Sequence, residues 1–236
     1  MSKGTEATSG EFFANETDSA GSDVWRPDRV AEKPLDRKHE RILLHCCART
    51  LAHALFYDKI VYPDPTHYEG RLVEPGATFV TYEHRDELVG CIGSIEPEYP
   101  LVLDAARNSL LAAFSDPRTP GLPAFPLRGT SMKISVLFGF EPLPASVFDE
   151  VRELVTPGHD GIVLSHEGRR ATLLPSVWEK VDSVEEFLDV LWGKAGLEPR
   201  TFDTSTSLTR YSAQEIAHPD LAELLYNPDS PDVQQP

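Results

Sequence analysis

The stretch ATFVTYEHRDELVGCIGSIE (residues 77–96) sets two strand-like runs on either side of three polar residues, Arg85-Asp86-Glu87. So short a connection admits only an antiparallel pair, because a parallel crossover needs a dozen residues or more. If the loop has three residues, Thr81 lies opposite Cys91, and a slip of one residue would exchange the two faces. A second hairpin pattern occupies GIVLSHEGRRATLLP (161–175), turning near Glu167-Gly168. Between them MKISVLFGF (132–140) alternates Ile134, Val136 and Phe138 and reads as another strand.

Helical patterns are interleaved with these hairpins. In KHERILLHCCARTLAHALFY (38–57), Leu44, Ala48, Leu51 and Leu55 share one face. PLVLDAARNSLLAAF (100–114) opens on a proline, which suits a first turn because its missing N–H is not needed there. Residues 145–154 read as a short helix or turn. Ser183 and Glu186 form a capping box for a helix striped with Phe187, Leu188, Leu191, Trp192 and Ala195, and Gly196 suits its left-handed end. Residues 61–76, with three prolines and two glycines, read as an extended connection. The strand–helix alternation of a parallel sheet is missing. The fold class expected is α+β, a largely antiparallel sheet with flanking helices.

The ends differ from this middle. Residues 1–36 are rich in Ser, Thr, Glu, Asp and Gly, lack periodicity, and are expected to form a disordered acidic tail in which Phe12-Phe13 and Trp25 are the apolar exceptions. Residues 37–218 form the expected domain, and 219–236 a flexible C-terminal tail. The N-terminus lacks a basic start followed by an apolar run, so no secretory signal is expected. No apolar run is long enough to span a bilayer. The formal net charge of −16 over 236 residues opposes binding to nucleic acid or anionic lipid. Three cysteines, two of them adjacent, make a poor disulfide framework, and a reducing cytoplasmic setting is expected.

Phosphate-loop, dinucleotide, His-Glu-x-x-His, Cys-x-x-Cys and Gly-x-Ser-x-Gly patterns do not occur. No metal site is expected; Cys91 with two of His84, His159 and His166 is the weak alternative. Cys91, between Gly90 and Gly93, is the candidate for chemistry. Gly93 shares its face and would leave room for a ligand atom, while Gly90 and Ile92 share the other. The competing reading makes Cys91 a small buried apolar residue and the glycines a bulge or a seat for a helix. A nucleophilic thiol also needs a cation or base beside it, for which His84, Arg107, Arg169 and Arg170 are the candidates.

The ordered blocks FVTYEHRDELVGCIGSIEP, LDAARNSLLAAFSDPR, KISVLFGFEPL, DGIVLSHEGRRATLLPSVWEK and EEFLDVLWGKAGL resemble the AMMECR domain family across roughly residues 40–215. The resemblance implies two unequal α+β parts with a cleft between them. The family block Leu-Arg-Gly-Cys-Ile-Gly stands here as Leu88 to Gly93, with Val89 in place of its arginine. Ala106-Arg107-Asn108, Asp116-Pro117-Arg118 and Gly168-Arg169-Arg170-Ala171-Thr172 match further blocks. They make Arg107, Asn108, Arg170 and Thr172 candidate binding residues beside Gly90 and Gly93. Family members often travel with or are fused to Memo-type proteins and are linked with radical-SAM proteins. That association implies a protein-modification or redox system. Two functions are expected to compete: a cysteine-dependent enzyme or modification factor acting through a cleft at Cys91, and a non-catalytic adaptor for a Memo-type or radical-SAM-associated partner. The cofactor is unassigned.

Overall fold

The computed structural model describes residues 33–226. The expected tail over 1–32, with Phe12-Phe13 and Trp25, and the last residues, 227–236, lie outside the described residues.

The first helix, α1 (Arg37–Tyr57), starts where the Asp36 carboxylate accepts the His39 N–H at 2.8 Å. It ends at Asp58 in the left-handed region. The proline-rich connection holds two short 3-10 turns, Pro65–His67 and Gly70–Leu72, and a two-residue strand, β1 (Pro75–Gly76). The first hairpin joins β2 (Thr78–His84) to β3 (Glu87–Gly93). Its loop is two residues, Arg85 and Asp86, both at positive φ, and so one residue shorter than the sequence suggested. The register shifts beside Tyr82 and Glu83, where Val89 is the extra residue of a bulge. The bulge restores the offset, and Thr81 lies opposite Cys91.

A short β4 (Tyr99–Pro100) pairs with β1 and leads into α2 (Leu101–Phe114). There follow β5 (Thr130–Leu143), α3 (Phe148–Leu154), β6 (Gly161–His166) and β7 (Arg169–Leu173). Glu167 and Gly168 form the second turn at positive φ. Helix α4 (Val184–Lys194) is capped by Ser183, whose hydroxyl accepts the Glu186 N–H at 3.1 Å. The Glu186 carboxylate returns to the N–H of Asp182 rather than that of Ser183. Gly196 follows at φ +67. The chain then forms β8 (Ser207–His218) and α5 (Leu221–Tyr226).

Six strands make one antiparallel sheet in the order β3-β2-β5-β8-β6-β7. Two cores of unequal size lie on it. The larger holds α1 and α2 against Val80, Tyr82, Val89, Met132, Ile134 and Val136. The smaller gathers Ile162, Leu164, Ala171, Leu173 and Leu208 with Phe148, Phe187, Leu191 and Trp192. The long strands β5 and β8 pass through both. A third cluster brings Phe79 of β2 and Ile95 against Val163 of β6 and Tyr211 of β8, strands that are not neighbours of β2. The sheet must curl for them to meet, and this sets its two outer edges towards each other.

Both domain boundaries move outward. Leu35 is buried, and its N–H and C=O bond the Gln214 side chain at 2.6 and 3.1 Å. At the other end α5 seats Leu221 and Leu224 in the larger core, so 219–226 belongs to the folded unit rather than to a tail. Leucines spaced i and i+3 on one helix face supply the apolar surface that holds it.

Candidate functional site

Cys91 is on β3, an edge strand. Its backbone N–H and C=O point away from β2 and would be left unpaired there. The segment after α2 covers them. The buried Asp116 accepts the Cys91 N–H at 2.8 Å, Arg118 Nη2 donates to the Cys91 carbonyl at 2.8 Å, and Thr119 Oγ1 donates to the Val89 carbonyl at 2.6 Å. Asp116 also accepts from the Arg118 backbone, Nε and Nη2 at 3.0, 2.9 and 2.7 Å. The Arg118 guanidinium, with the Cys91 N–H assisting, holds this carboxyl well below the usual carboxylate range, and Asp116 in turn raises Arg118.

The side chain of Cys91 faces the inside of the curl and is half-buried. Thr81 Oγ1 donates to its Sγ at 3.2 Å from the facing position of β2. Two cations lie within electrostatic range of Cys91: Arg118, whose side chain is 60% exposed, and Lys194 at the end of α4. Lys194 Nζ donates to the Thr172 carbonyl at 2.9 Å. Burial lowers its pKa, Cys91 opposes that shift, and Arg118 adds to it. Cys46 and Cys47 are buried in the larger core, and burial pushes both thiols up.

The glycines do not open space beside the thiol. A Cβ on Gly90 would lie 1.9 Å from the Ala112 carbonyl oxygen of α2, so Gly90 is the seat of that helix. A Cβ on Gly93 would lie 2.3 Å from the Phe79 ring, which fills the room expected for a ligand atom. The cations that sequence reasoning proposed lie elsewhere. Arg107 sits 4.5 Å over the Tyr99 ring. Arg170 pairs with Glu96 and donates to Ser165 Oγ at 3.2 Å, tying the strand β7 to the chain beyond β3. Arg169 donates to the Gly196 carbonyl. His84 contacts Thr130 at 3.0 Å, and His166 contacts Thr206 at 3.0 Å, so the proposed Cys–His ligand set is not brought together.

Asn108 is buried in a polar knot, donating to the Thr78 carbonyl, Ser94 Oγ and Asp104 Oδ2 at 3.0, 3.1 and 3.1 Å. Asp104 also accepts from Thr78 and Ser94 at 2.6 and 2.5 Å, and burial pushes it up to about 6. Thr172 is buried and donates to the Ile162 carbonyl at 2.9 Å. Only its backbone carbonyl, through Lys194, belongs to the surroundings of Cys91. Thr81, Asp116, Arg118 and Lys194 were not singled out from the sequence as site residues. The Asp-Pro-Arg run after α2 was the signal within reach.

A sequence model of the AMMECR1 family matches residues 44–216. The chain belongs to the AMMECR1 family. A protein of Methanothermobacter thermautotrophicus is 36% identical over 148 residues, covering 60% of this chain and 74% of its own. One from Thermofilum pendens is 30% identical over 178 residues, covering 69% and 81%. The crystal structure of the uncharacterized protein PH0010 from Pyrococcus horikoshii superposes with a TM-score of 0.71 at 25% identity, over 80% of this chain and 95% of that one. In this AMMECR1 chain, Val89 is the fully buried bulge residue packed in the larger core. Positive charge near Cys91 therefore comes from α4 and from the segment after α2. Among the described residues no helix is long and apolar enough to cross a membrane.

Proposed function

We propose that this AMMECR1 domain is a cysteine-dependent enzyme or protein-modification factor, with Cys91 as its reactive thiol and an anionic group on its guest. The observation that carries the reading is a half-buried sulfur that accepts from Thr81 Oγ1, with Arg118 on the carbonyl of the same residue and Lys194 within electrostatic range. A cation beside a thiol favours its anionic, nucleophilic form. Lys194 has two N–H groups beyond the one given to Thr172. These donors suit a carboxylate or phosphate held against the sulfur. A non-catalytic adaptor for a Memo-type or radical-SAM-associated partner is the second reading. It is favoured by the packing of protein against both glycines.

Labelling with anionic iodoacetate and neutral iodoacetamide separates the two. The enzyme reading expects Cys91 to react far ahead of Cys46 and Cys47. It also expects an iodoacetate-to-iodoacetamide rate ratio about threefold above that of N-acetylcysteine amide, despite the chain's negative field. Lys194→Met should return the ratio to that of the free thiol. A Cys91 that resists both reagents in the native protein, or shows the free-thiol ratio from the start, overturns the enzyme reading.

A further inference from the structure

Strand β8 outruns its neighbour on one side. It pairs with β6 from Ser207 to Tyr211 and with β5 as far as His218. The chain before Gly161 does not continue along it. Thr156 and Asp160 close a turn through Pro157-Gly158, with the Asp160 N–H on the Thr156 carbonyl at 3.1 Å and the Asp160 carboxylate accepting the Thr156 N–H at 2.8 Å. Beyond Tyr211, β8 is therefore paired on one side only among the described residues. The ladder says which main-chain groups this leaves open. The Leu137 N–H donates to the Ala77 carbonyl at 3.0 Å, on the side of β5 away from β8. Residues facing each other across an antiparallel ladder turn their N–H and C=O both inward or both outward. Ala213, opposite Leu137, therefore turns its own outward, and Glu215 and Ala217 follow by alternation.

Two of these three residues, Ala213 and Glu215, line a groove of about 720 Å³, with Pro157, Gly158, the 3-10 turn Pro175–Lys180 and the start of α4. The groove thus runs along the open edge. Pro157, Pro175 and Trp178 give it an apolar surface. Trp178 is fixed there by stacking on Phe187 at 3.8 Å between ring centroids and by its Nε1–H on the Asp160 carbonyl at 2.7 Å. The charged lining residues are Glu179, Asp182 and Glu215, with no lysine or arginine among them. Lys133 offsets Glu215 at 3.4 Å, while Glu179 and Asp182 are exposed and carry no ion pair among the described residues.

An uncovered strand edge is a template for another strand, and the acids here restrict which one. A second copy of the chain would bring Glu179, Asp182 and Glu215 up to the same three acids, on a molecule of formal net charge −16. We infer that the β8 edge and its groove receive an extended, basic segment of a partner protein. The segment adds a strand beside Ala213–Ala217, lays an apolar side chain against Trp178, and sets lysine or arginine towards Glu179 and Asp182. In strand addition the main-chain bonds supply affinity and alternate side chains supply the choice of partner. Cys91 takes no part in this contact.

Selection from a random library of peptides about ten residues long, against the full 236-residue chain, tests it. Enriched peptides should alternate apolar residues with lysine or arginine. Once synthesised, they should bind about tenfold more weakly to Glu179→Arg with Asp182→Arg. The same charge change at two exposed acids elsewhere, Glu198→Arg with Glu223→Arg, should weaken them less than about threefold. Bound peptide should slow amide exchange at Ala213, Glu215 and Ala217 about tenfold. N-methylation of every second peptide residue should abolish binding in one phase and be tolerated in the other, because a strand turns only alternate N–H groups to its neighbour. These last two measurements use the parent chain, so they stand even where the reversed groove misfolds. A selection that enriches nothing, binding that survives the groove reversal, or binding that leaves exchange at 213–217 unchanged overturns the proposal. Protection of these amides that needs no peptide and grows with protein concentration assigns the edge to a second copy of the chain and also overturns it.

Discussion

Replacing Gly90 with alanine tests the architecture around the candidate thiol. A Cβ there would lie 1.9 Å from the carbonyl oxygen of Ala112 and 3.0 Å from its carbonyl carbon. Both contacts are with backbone, so no rotamer change relieves them. Reaching an ordinary separation of about 3.4 Å requires α2 and β3 to part by about 1.5 Å, which loosens packing around Val89, Ala112 and Ala113. Overpacking against rigid backbone puts the cost at about 3 kcal/mol. With a urea slope of about 2 kcal/mol/M, the midpoint falls by about 1.5 M. Gly193→Ala is the internal control: this glycine is within α4, meets nothing within 4 Å and is not at positive φ. It should gain about 0.5–1 kcal/mol from helix propensity. The assay is urea unfolding followed by circular dichroism on both variants. A Gly90→Ala protein that unfolds at the parental midpoint would refute the placement of α2 on β3, and with it the register that turns Cys91 inward.

Asp104 is a carboxyl raised by burial to about 6 in the folded chain. A raised acid binds its proton more tightly folded than unfolded. Its contribution is fully present below about pH 4 and lost as pH rises through about 6, to a total of about 3 kcal/mol. Urea midpoints at pH 4.5 and 7.5 should therefore fall more steeply with pH in the parent than in Asp104→Asn; equal slopes would contradict the burial of this acid. Leu221→Ala should cost about 2–4 kcal/mol, because the side chain is fully buried beneath α5. A loss below about 0.5 kcal/mol would return 219–226 to the status of a tail.

Where apolar periodicity ran unbroken, the sequence was sufficient. The helices near 38–57, 100–114 and 184–194 and the second hairpin are found at the predicted places. The position opposite Cys91 was legible although the turn was not, because one residue missing from the loop is compensated by one extra at Val89. Strand β8 was missed. Thr209, Arg210, Ser212, Gln214 and Glu215 interrupt its apolar residues, which are divided between two faces, Leu208 and Ile216 on one and Tyr211 and Ala213 on the other, so that neither face gives a clean alternation. The thiol itself could be singled out. Its cations could not, because Arg118 and Lys194 are 27 and 103 positions away in sequence and only the curl of the sheet brings Lys194 near. The sequence left two readings of the glycines open, because a strand pattern does not say whether a ligand, a ring or a helix takes the vacant volume; Gly90 seats a helix, as one of them expects, and the Phe79 ring fills the place beside Gly93.

The placement of β8 between β5 and β6 has a consequence for biosynthesis. The strand that joins the sheet leaves the ribosome after more than 200 residues have already emerged. Until then the nascent chain can assemble only two separate groups, β3-β2-β5 and β6-β7, each with an uncovered hydrogen-bonding margin waiting for the same late partner. Stalled or prematurely terminated translation before β8 would therefore release two sticky half-sheets, and the quality of this protein in the cell depends on synthesising that strand promptly.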